Sequence, residues 1–408
     1  MGRIVAVNRY YWPDHSATSQ LLTDLLEHLA AGGQDTLAIT SRQRYDQPDA
    51  ALAASDSHGG VAIRRLWSTR FGRTSMAGRA ADYLSFYASA LFTLLFTVRR
   101  GDTILALTDP PLLSVLAGAV AAVKRARLIN WCQDLFPEIA ERLDVPMVRG
   151  AVARALLSAR NASFRAAHAN VVLCDNMANH LLTQRVPAER TIIVHNWADS
   201  DIRPVSRETN PLRLEWELGD RFVIGYSGNL GRAHDHDALL DLMSRLRGHD
   251  DIAFLFIGGG AGLDRLKVMA AEVRLSNVQF RAYQPRERLS ESLSVPDVHL
   301  VSLREEMEGL IMPSKIYGIL AAGRPTLFLG SAGGSIQRIV DSFGAGVPAM
   351  GTDTASAAAW IVANKGDRAL LAKMGGGARR AYETEFNRAI SLGQFERVFS
   401  PSVMSLPA

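Results

Sequence analysis

Short apolar runs alternate along most of this chain with longer segments that carry apolar residues at helical spacing. The segment over residues 20–31 is an example, with leucines at 21, 22, 25, 26 and 29. Strands that alternate with helices predict right-handed βαβ crossovers and parallel sheets. The predicted strands cover residues 3–8, 36–40, 103–107, 127–131, 170–173, 191–194, 222–226, 253–257, 278–280, 299–302 and 326–329.

The alternation stops after residues 191–194 and restarts at Arg221, which predicts two Rossmann-like α/β domains over residues 1–196 and 197–376. A last helical pattern, within residues 377–408, is expected to pack back toward the N-terminal domain. Ligands of parallel sheets bind at the carboxyl ends of the strands. We therefore expect two doubly wound sheets that face each other across a cleft, an arrangement that suits transfer between two substrates.

Composition narrows the class of protein. The chain has 408 residues, of which 48% are hydrophobic, and this is typical of a globular protein rather than a disordered one. Two cysteines are too few for a disulfide scaffold, and no secretory leader pattern opens the sequence, so we expect a reduced, cytoplasmic protein. The net charge of +4 lies in residues 1–200, the half that we expect to meet phosphates or a membrane face.

The longest uncharged segment covers residues 83–98 and is shorter than the roughly 20 residues of a membrane-spanning helix. Two interpretations remain open. The segment is a buried helix of an α/β domain, or its aromatic face lies on a bilayer and nearby arginines bind lipid headgroups. Those arginines are Arg64, Arg65, Arg70, Arg73 and Arg79.

The sequence IGYSGNLGR directly follows the apolar start of a predicted strand. Gly228 and Gly231 allow the backbone to turn tightly beside a ligand, with Asn229 between them. The amides that follow open a helix, where a phosphate is favoured, and Arg232 offers several donors to diphosphate oxygens. An ordinary strand-to-helix turn would contain the same glycines.

A second motif, PSKIYGILAAGRP, places Lys315 where a loop becomes a helix, so that its ammonium could reach another phosphate. The preceding loop contains Glu305, Glu306 and Glu308. The carboxylate of Glu308 could accept hydrogen bonds from sugar hydroxyls, although a solvated acidic loop would have the same composition.

Two further clusters admit more than one interpretation. The glycines at 258–262 lack a complete dinucleotide fingerprint, so we interpret Gly258 and Gly259 as a close backbone approach to a ligand rather than an NAD site. The Asp235-His236-Asp237 triplet would bind a metal or cap a helix. The cysteines and histidines are not spaced as in a zinc site.

Two loops of the first half follow predicted strands and could bind an acceptor. One contains Asp14, His15, Ser16 and Ser19, and His15 could be a base, a hydrogen-bond donor or merely exposed. The other has the sequence QDLFPE, in which the carboxylates could orient an acceptor hydroxyl. Its candidate residues are Gln133, Asp134 and Glu138.

With these residues in place, the sequence resembles retaining glycosyltransferases of family 4, which have the GT-B fold. It is most similar to the WbuB/WcaI-like bacterial subgroup of exopolysaccharide and O-antigen biosynthesis. The resemblance covers nearly the whole chain, and its order of segments is specific to the family but not to a sugar. It is carried by YYWPDHSATSQLLTDL, DYLSFY, TDPPL, QDLFPE, HNWAD, YSGNLGR, FIGGG and PSKIYGILAAGRP.

The resemblance implies a hexosyl- or N-acetylhexosaminyl-transferase with no metal cofactor. The C-terminal domain would bind a UDP- or GDP-sugar, and the N-terminal domain would bind a lipid-linked, polyprenyl-diphosphate saccharide at the cytoplasmic face of the inner membrane; nucleic acid is not an expected partner. Arg232 and Lys315 would neutralise the diphosphate and Glu308 would touch the sugar. The other implied donor contacts are Gly228, Asn229, Gly231, Gly258, Gly259, Tyr283, Ser314 and Tyr317.

The chain departs from the family pattern at two positions. Gly318 occupies the position of the family's second glutamate, and Gln133 stands where many members have a histidine. A mechanism in which the leaving phosphate takes the acceptor proton tolerates the loss of a protein base. Two other functions stay open, a sugar-nucleotide 2-epimerase with the same two domains and a non-catalytic subunit that binds nucleotide sugars.

Overall fold

The computed structural model divides into two compact units. Unit 1 contains the chain up to His195 and the residues from Leu392 onward, and unit 2 contains Asn196–Ser391. The structure describes residues 2–45, 47, 52–72 and 76–400. The chain therefore leaves unit 1, forms all of unit 2 and returns to unit 1 near its C-terminus.

Unit 1 is built on an eight-stranded sheet. Its strands are β1 (Ile4–Val7), β2 (Thr36–Ser41), β3 (Ser55–His58), β4 (Val61–Leu66), β5 (Thr103–Ala106), β6 (Arg127–Trp131), β7 (Ala169–Val172) and β8 (Thr191–Ile193). The strand order is β3-β4-β2-β1-β5-β6-β7-β8, and only the edge pair β3–β4 is antiparallel. The helices of this part of the chain are α1 (Ala17–Ala31), α2 (Met76–Thr97), α3 (Leu113–Lys124), α4 (Glu138–Arg142), α5 (Gly150–Ala166) and α6 (Asp175–Thr183).

The antiparallel hairpin of β3 and β4 was not predicted from the sequence. Strand β3 has the sequence SDSH, lies at the sheet edge and is mostly exposed, so it has no apolar run to reveal it. A Gly59-Gly60 pair joins it to β4, and this dipeptide was the available hairpin signal.

Helix α2 has 22 residues and two apolar faces. One face packs into the core of unit 1 through Phe86, Ala90 and Leu94. The opposite face, here called the α2 outer face, leaves Leu84 67%, Phe92 62% and Phe96 88% exposed, with Ala88 between them. Within the described ranges α2 alone is long and apolar enough to cross a membrane by length and composition, but it is also a core helix of unit 1.

Unit 2 is built on a five-stranded parallel sheet with the order β11-β10-β9-β12-β13. Its strands are β9 (Phe222–Asn229), β10 (Ile252–Gly259), β11 (Val278–Arg281), β12 (Val298–Ser302) and β13 (Thr326–Leu329). The helices are α7 (Pro211–Glu215), α8 (His236–Arg245), α9 (Ala261–Glu272), α10 (Leu289–Ser294), α11 (Lys315–Ala321), α12 (Ser335–Phe343), α13 (Thr354–Asn364) and α14 (Arg368–Ala381).

The C-terminal segment is not the single helix that the sequence pattern over residues 377–399 suggests. Helix α14 runs into a π-helical turn at Tyr382–Phe386, and α15 (Arg388–Phe399) follows. Asn387 separates them, because its backbone is extended and its Oδ1 accepts a hydrogen bond from the amide of Ile390 at 3.0 Å. Beyond Leu392, α15 packs on unit 1, where the Phe395 ring lies 4.6 Å from the ring of Trp131.

Candidate active site

The candidate site of unit 2 lies at the carboxyl ends of β9 and β10. The two strands pair in register, so that Gly228 is opposite Gly258. Both glycines have positive φ, +115° and +136°, and a Cβ on Gly258 would overlap the carbonyl oxygen of Gly228. These contacts require glycine at position 258 and bring the two strand ends together without side chains between them.

The other predicted residues at this edge of the sheet differ in their surroundings. A Cβ on Gly260 would overlap Oδ1 of Asn229, which places the Asn229 side chain against the start of α9. Gly231 has room for a side chain at an ordinary φ, so its backbone does not require glycine. Tyr283 is 60% exposed, and its ring lies 3.1 Å from the position that a Cβ of Gly259 would occupy.

Lys315 is the first residue of α11, and its side chain reaches the end of β9. Its Nζ donates a hydrogen bond to the hydroxyl of Tyr226 and lies 3.4 Å from Nε2 of His234. Part of the residue stays accessible to solvent, yet the surrounding protein desolvates Nζ and lowers the pKa of Lys315 to about 7. In the described part of the chain, no carboxylate forms an ion pair with this ammonium.

His234 lies in the loop between β9 and α8, two residues after Arg232. Its Nδ1 is 2.5 Å from the carbonyl oxygen of Ser302, at the end of the neighbouring strand β12. Burial and the charge of Lys315 lower the pKa of His234 to about 3, so its ring is neutral at physiological pH. Neither His234 nor Tyr226 was predicted, because a strand tyrosine and a loop histidine acquire this role only through their contacts with Lys315.

Arg232 is exposed in the same loop. It follows the end of β9 by three residues, and Lys315 contacts Tyr226 on β9, so both predicted cations belong to the same edge of this sheet. Asp235, the next acidic residue of the loop, caps α8, and its Oδ1 accepts a hydrogen bond from the amide of Ala238 at 3.0 Å. The described residues contain no group of three or more side chains suited to hold a metal ion.

Glu308 is placed at the start of α12. Its Oε1 accepts hydrogen bonds from the amide and the hydroxyl of Ser335, both at 3.0 Å. A carboxylate is favoured there by the free amides and the positive end of the helix dipole. Glu308 thus has a structural role at the start of α12.

Ser314 and Tyr317, also predicted to bind the donor, differ in their surroundings. Ser314 is exposed at the N-cap of α11. Tyr317 is fully buried and its ring lies 5.9 Å from that of Phe386, so it belongs to the interior of unit 2 and not to the surface of the site. The helix turns Tyr317 inward because it lies two residues beyond Lys315, on the opposite side of α11.

In unit 1, the loop after β1 holds the first set of predicted acceptor residues. Asp14 is buried, and its Oδ1 accepts a hydrogen bond from the amide of Ser16 at 2.8 Å. Ser19 is also buried and donates to the carbonyl of Asp14 at 3.2 Å. Asp14 and Ser19 therefore shape the loop. His15 is exposed and accessible to a ligand, whereas Ser16 is half-buried and its Oγ is enclosed by the protein.

The second set follows β6. Glu138 is buried beside Arg160, which donates a hydrogen bond to its Oε1, and His180 Nε2 is 3.0 Å from the same oxygen. Burial alone would raise the pKa of Glu138, but His180 and Arg160 hold it below its ordinary value. The structure thus gives Glu138 a place in a buried ion pair instead of contact with an acceptor.

Asp134 and Gln133 remain at the surface of unit 1. Asp134 lines a cavity at the carboxyl ends of β5 and β6, together with Asn130 and Arg160. Although its side chain is accessible to solvent, nearby protein atoms and the charge of Asp109 raise the pKa of Asp134 to about 6. Of the second set, only Asp134 and Gln133 are placed where an acceptor could contact them.

This chain has two Rossmann-like domains, and one of them carries cationic side chains and glycines at its ligand-binding edge. This is the architecture of GT-B glycosyltransferases. Residues 18–197 match the glycosyl transferase 4-like domain, and residues 212–373 match glycosyl transferases group 1. Together the two matches cover most of the chain and identify it as a glycosyltransferase of group 1, with the GT-B fold expected from the sequence.

Particular proteins similar to this chain agree with that class. A Pseudomonas aeruginosa protein named as a glycosyltransferase, WbjE, is 28% identical over 77% of this chain and 79% of its own length. An Escherichia coli (strain K12) protein named as a colanic acid biosynthesis glycosyl transferase, WcaI, is 24% identical over 84% of this chain and 86% of its own. The crystal structure of Anabaena HepE with UDP and glucose has a TM-score of 0.71 at 14% identity and covers 97% of this chain and 98% of HepE, which supports the shared fold.

Proposed function

We propose that this glycosyltransferase moves a sugar, with retention, from a UDP- or GDP-sugar to a polyprenyl-diphosphate-linked saccharide. The observation that carries the proposal is the position of the Lys315 ammonium beside the glycine end of β9. A Cβ on Gly228 would lie only 3.8 Å from Cε of Lys315, so the cation and the exposed backbone border the same space. A diphosphate fits there, because it needs both a positive charge and room close to the main chain.

The relatives support the choice of substrates. WcaI is named for colanic acid biosynthesis, and the HepE crystal contained UDP and glucose. By analogy, we propose a nucleotide-diphosphate hexose or N-acetylhexosamine as donor and a cell-surface polysaccharide, such as an exopolysaccharide or O-antigen, as the product. The analogy concerns the class of donor and product and does not select one sugar.

In the proposed reaction, the bond between the anomeric carbon and the diphosphate oxygen breaks, and a bond forms from the acceptor hydroxyl oxygen to the same face of that carbon. The proton of the acceptor hydroxyl passes to the departing diphosphate, so no protein base is required. Negative charge develops on the diphosphate during this step, and Lys315 and Arg232 stabilise it without a metal ion. Glu308 contacts a sugar hydroxyl of the donor.

We further propose that the acceptor binds to unit 1 through residues that remain accessible there. His15 lies in the loop after β1, and Gln133 and Asp134 lie beyond β6. All three follow the carboxyl ends of parallel strands, the edge at which such sheets bind ligands. Gly228, Asn229, Gly258, Gly259, Tyr283 and Ser314 remain the proposed donor contacts in unit 2.

Because the proposed acceptor carries a lipid, we propose that the protein is peripherally associated with the cytoplasmic face of the inner membrane. Support comes from the α2 outer face, whose three large side chains are each more than half exposed and share one side of the helix. Arg99 and Arg100 follow this helix and are exposed, as are Arg64, Arg70 and Arg79. Arg65 is instead buried and paired with Asp56, and Arg73 lies outside the described residues.

The proposal is tested with purified protein, a panel of UDP- and GDP-sugars, and lipid extracts containing polyprenyl-diphosphate saccharides. We expect release of the nucleoside diphosphate and a lipid product longer by one sugar. Lys315→Ala should lower this turnover by at least about a hundredfold, because about 2.7 kcal/mol of transition-state stabilisation corresponds to that factor. Lys373→Ala, which removes an exposed lysine of α14, is the matched control. Unchanged turnover in Lys315→Ala would exclude the proposed role.

A further inference from the structure

Lys315 uses two of its three N–H donors inside unit 2. One hydrogen bond goes to the hydroxyl of Tyr226 and the other to Nε2 of His234 at 3.4 Å. An ammonium has three donors and no acceptor, so one donor is left for a ligand. Both protein contacts therefore restrict the direction in which the remaining N–H can point.

The partners of His234 determine which ring nitrogen carries its proton. Nδ1 faces the carbonyl oxygen of Ser302 at 2.5 Å, and a carbonyl can only accept, so Nδ1 carries the hydrogen. Nε2 faces the Lys315 ammonium, which can only donate. Nε2 must therefore offer its lone pair, and His234 is a neutral acceptor.

Like His234, Tyr226 is oriented as a hydrogen-bond acceptor for Lys315. Its hydroxyl donates to the carbonyl oxygen of Asn229 at 3.0 Å, which leaves the hydroxyl oxygen to accept from Lys315. The Tyr226 ring is also close to the cation, with Nζ 4.0 Å from the ring centroid. Lys315 is thus held between two acceptors whose own hydrogen atoms are committed elsewhere.

The loop that carries His234 is fixed at two successive residues. In addition to the contact of His234 with Ser302, the amide of Asp235 donates to the Ser302 hydroxyl at 3.1 Å. The ring of His234 is therefore anchored to β12 independently of Lys315. This makes His234 a rigid support and not a side chain that merely follows the lysine.

We propose that His234 is a positioning residue for Lys315: its Nε2 holds the ammonium so that the unused N–H is directed to the donor diphosphate. The inference rests on the proposed function, because it takes a diphosphate as the ligand of Lys315. The inference adds to the donor site a neutral histidine that touches no reacting atom. This histidine positions Lys315, the cation that contacts the diphosphate.

The local charges define the expected pH dependence. Among the described residues, Tyr226 on β9 contacts Lys315, and burial raises its pKa well above the ordinary value. His236, at the start of α8, influences His234 and has a lowered pKa, so neither group is charged at neutral pH, and Tyr283 after β11 lies near Tyr226. The Arg304 side chain of the adjoining loop is paired with Glu306. With its pKa lowered to about 7 by burial, Lys315 loses its charge as the pH rises through neutrality, so nucleotide affinity should fall there.

Two substitutions separate the contact with Lys315 from the contact with Ser302. His234→Asn keeps an amide that can donate to the Ser302 carbonyl but is too short to reach Lys315. His234→Gln can place an amide oxygen near the position of Nε2 and accept from Lys315. Because an acceptor favours the charged ammonium, His234→Asn should bind more weakly and lose affinity at lower pH than the wild type.

The measurement is calorimetric titration of the full chain with UDP and with GDP, between about pH 6 and pH 9. For the nucleotide that binds, we expect His234→Asn to weaken affinity about tenfold at pH 7.5 and to move the alkaline fall downward by half a unit or more. His234→Gln should restore most of the wild-type profile. His249→Asn, at a loop histidine that precedes β10, is the control and should match the wild type.

The outcomes separate this inference from the proposed function. A wild-type profile in His234→Asn would overturn the inference, and a loss confined to His234→Gln would indicate a role in anchoring the loop to Ser302. Equal losses in both variants would also overturn it, because the acceptor restored by His234→Gln would then have no effect. Lys315→Ala distinguishes the two proposals. If the wild type binds neither nucleotide and Lys315→Ala changes nothing, the proposed donor site itself is wrong. If Lys315→Ala loses affinity but His234→Asn does not, only the inference fails.

Discussion

The α-carbon of Gly258 faces the carbonyl oxygen of Gly228 on the neighbouring strand, with no space between them for a methyl group. The contact occurs where β9 and β10 end, at the edge that carries Lys315 and Arg232. A side chain at Gly258 would separate the strand ends, whereas one at Gly228 would meet only Cε of Lys315, at 3.8 Å, and would cover main-chain groups that a diphosphate could approach. The pair therefore links the stability of the sheet to the shape of the donor site.

Gly258→Ala should consequently destabilise unit 2 and abolish nucleotide binding. The new Cβ would overlap the Gly228 carbonyl, and its φ of +136° is unfavourable for alanine. We expect the free energy of unfolding to fall by at least about 2 kcal/mol, from strain and overpacking together. Denaturant titration measures this change. Gly248→Ala, where no atom lies within 4 Å of the added Cβ, is the control, and equal stability of the two variants would contradict the explanation.

The buried pair of Arg160 and Glu138 in unit 1 should make a large contribution to stability. Arg160→Met would leave the Glu138 carboxylate buried with His180 as its remaining partner, at a cost of about 3–5 kcal/mol. Arg154→Met, at an exposed position of the same helix, should change stability little. The double variant Arg160→Met/Glu138→Leu should recover part of the loss, and the absence of any recovery would argue against the buried charge as its cause.

The same carboxylate should make unit 1 sensitive to acid. The native pKa of Glu138 lies below its ordinary value, so its stabilising contribution is complete above the pKa of the unfolded chain, about 4.3. The contribution is lost as the pH falls through the lower native pKa. The thermal unfolding temperatures of the wild type and of Glu138→Gln should therefore differ at pH 6 and become equal toward pH 3. A constant difference across this range would assign the effect to packing.

The α2 outer face should bind lipid vesicles. Phe92→Ser/Phe96→Ser removes two exposed rings, each able to contribute about 1.5–3 kcal/mol when buried in an apolar phase. We expect at least a tenfold loss of co-sedimentation with phosphatidylglycerol vesicles. The wild type should also bind less at high salt, because the flanking arginines are exposed. Leu214→Ser, which removes an 85% exposed leucine of unit 2, is the control. Wild-type binding by the double variant would remove this support for a membrane location.

The sequence predicted most of the sheet framework because buried parallel strands must be apolar along their length. The strands at residues 127–131 and 326–329 have the predicted bounds, and the other predicted strands differ by one to three residues at their ends. The β3 strand escaped prediction because an exposed edge strand can be polar. The division into two α/β domains followed from the same apolar runs, whereas their interpretation as glycosyltransferase domains rested on motifs that resemble the family.

The site was predictable only in part, since residue type does not fix the direction of a side chain. Lys315 and Gly258 were found through motif and spacing. Tyr317, three positions from the N-cap of α11, was assigned to the donor although its helix turns it into the core. His234 was not predicted, because its role depends on the carbonyl of Ser302, nearly seventy residues away in the chain.

The return of the chain to unit 1 constrains the order in which the protein can be completed during synthesis. Phe395 covers Trp131, and the carbonyl of Phe399 accepts a hydrogen bond from Arg127 at 3.3 Å. These contacts become available only after α15 has left the ribosome, when all of unit 2 has already emerged. Unit 1 is therefore completed only after unit 2, although most of unit 1 is translated before it. Until α15 packs, the surface around Trp131 is exposed and can bind chaperones or aggregate.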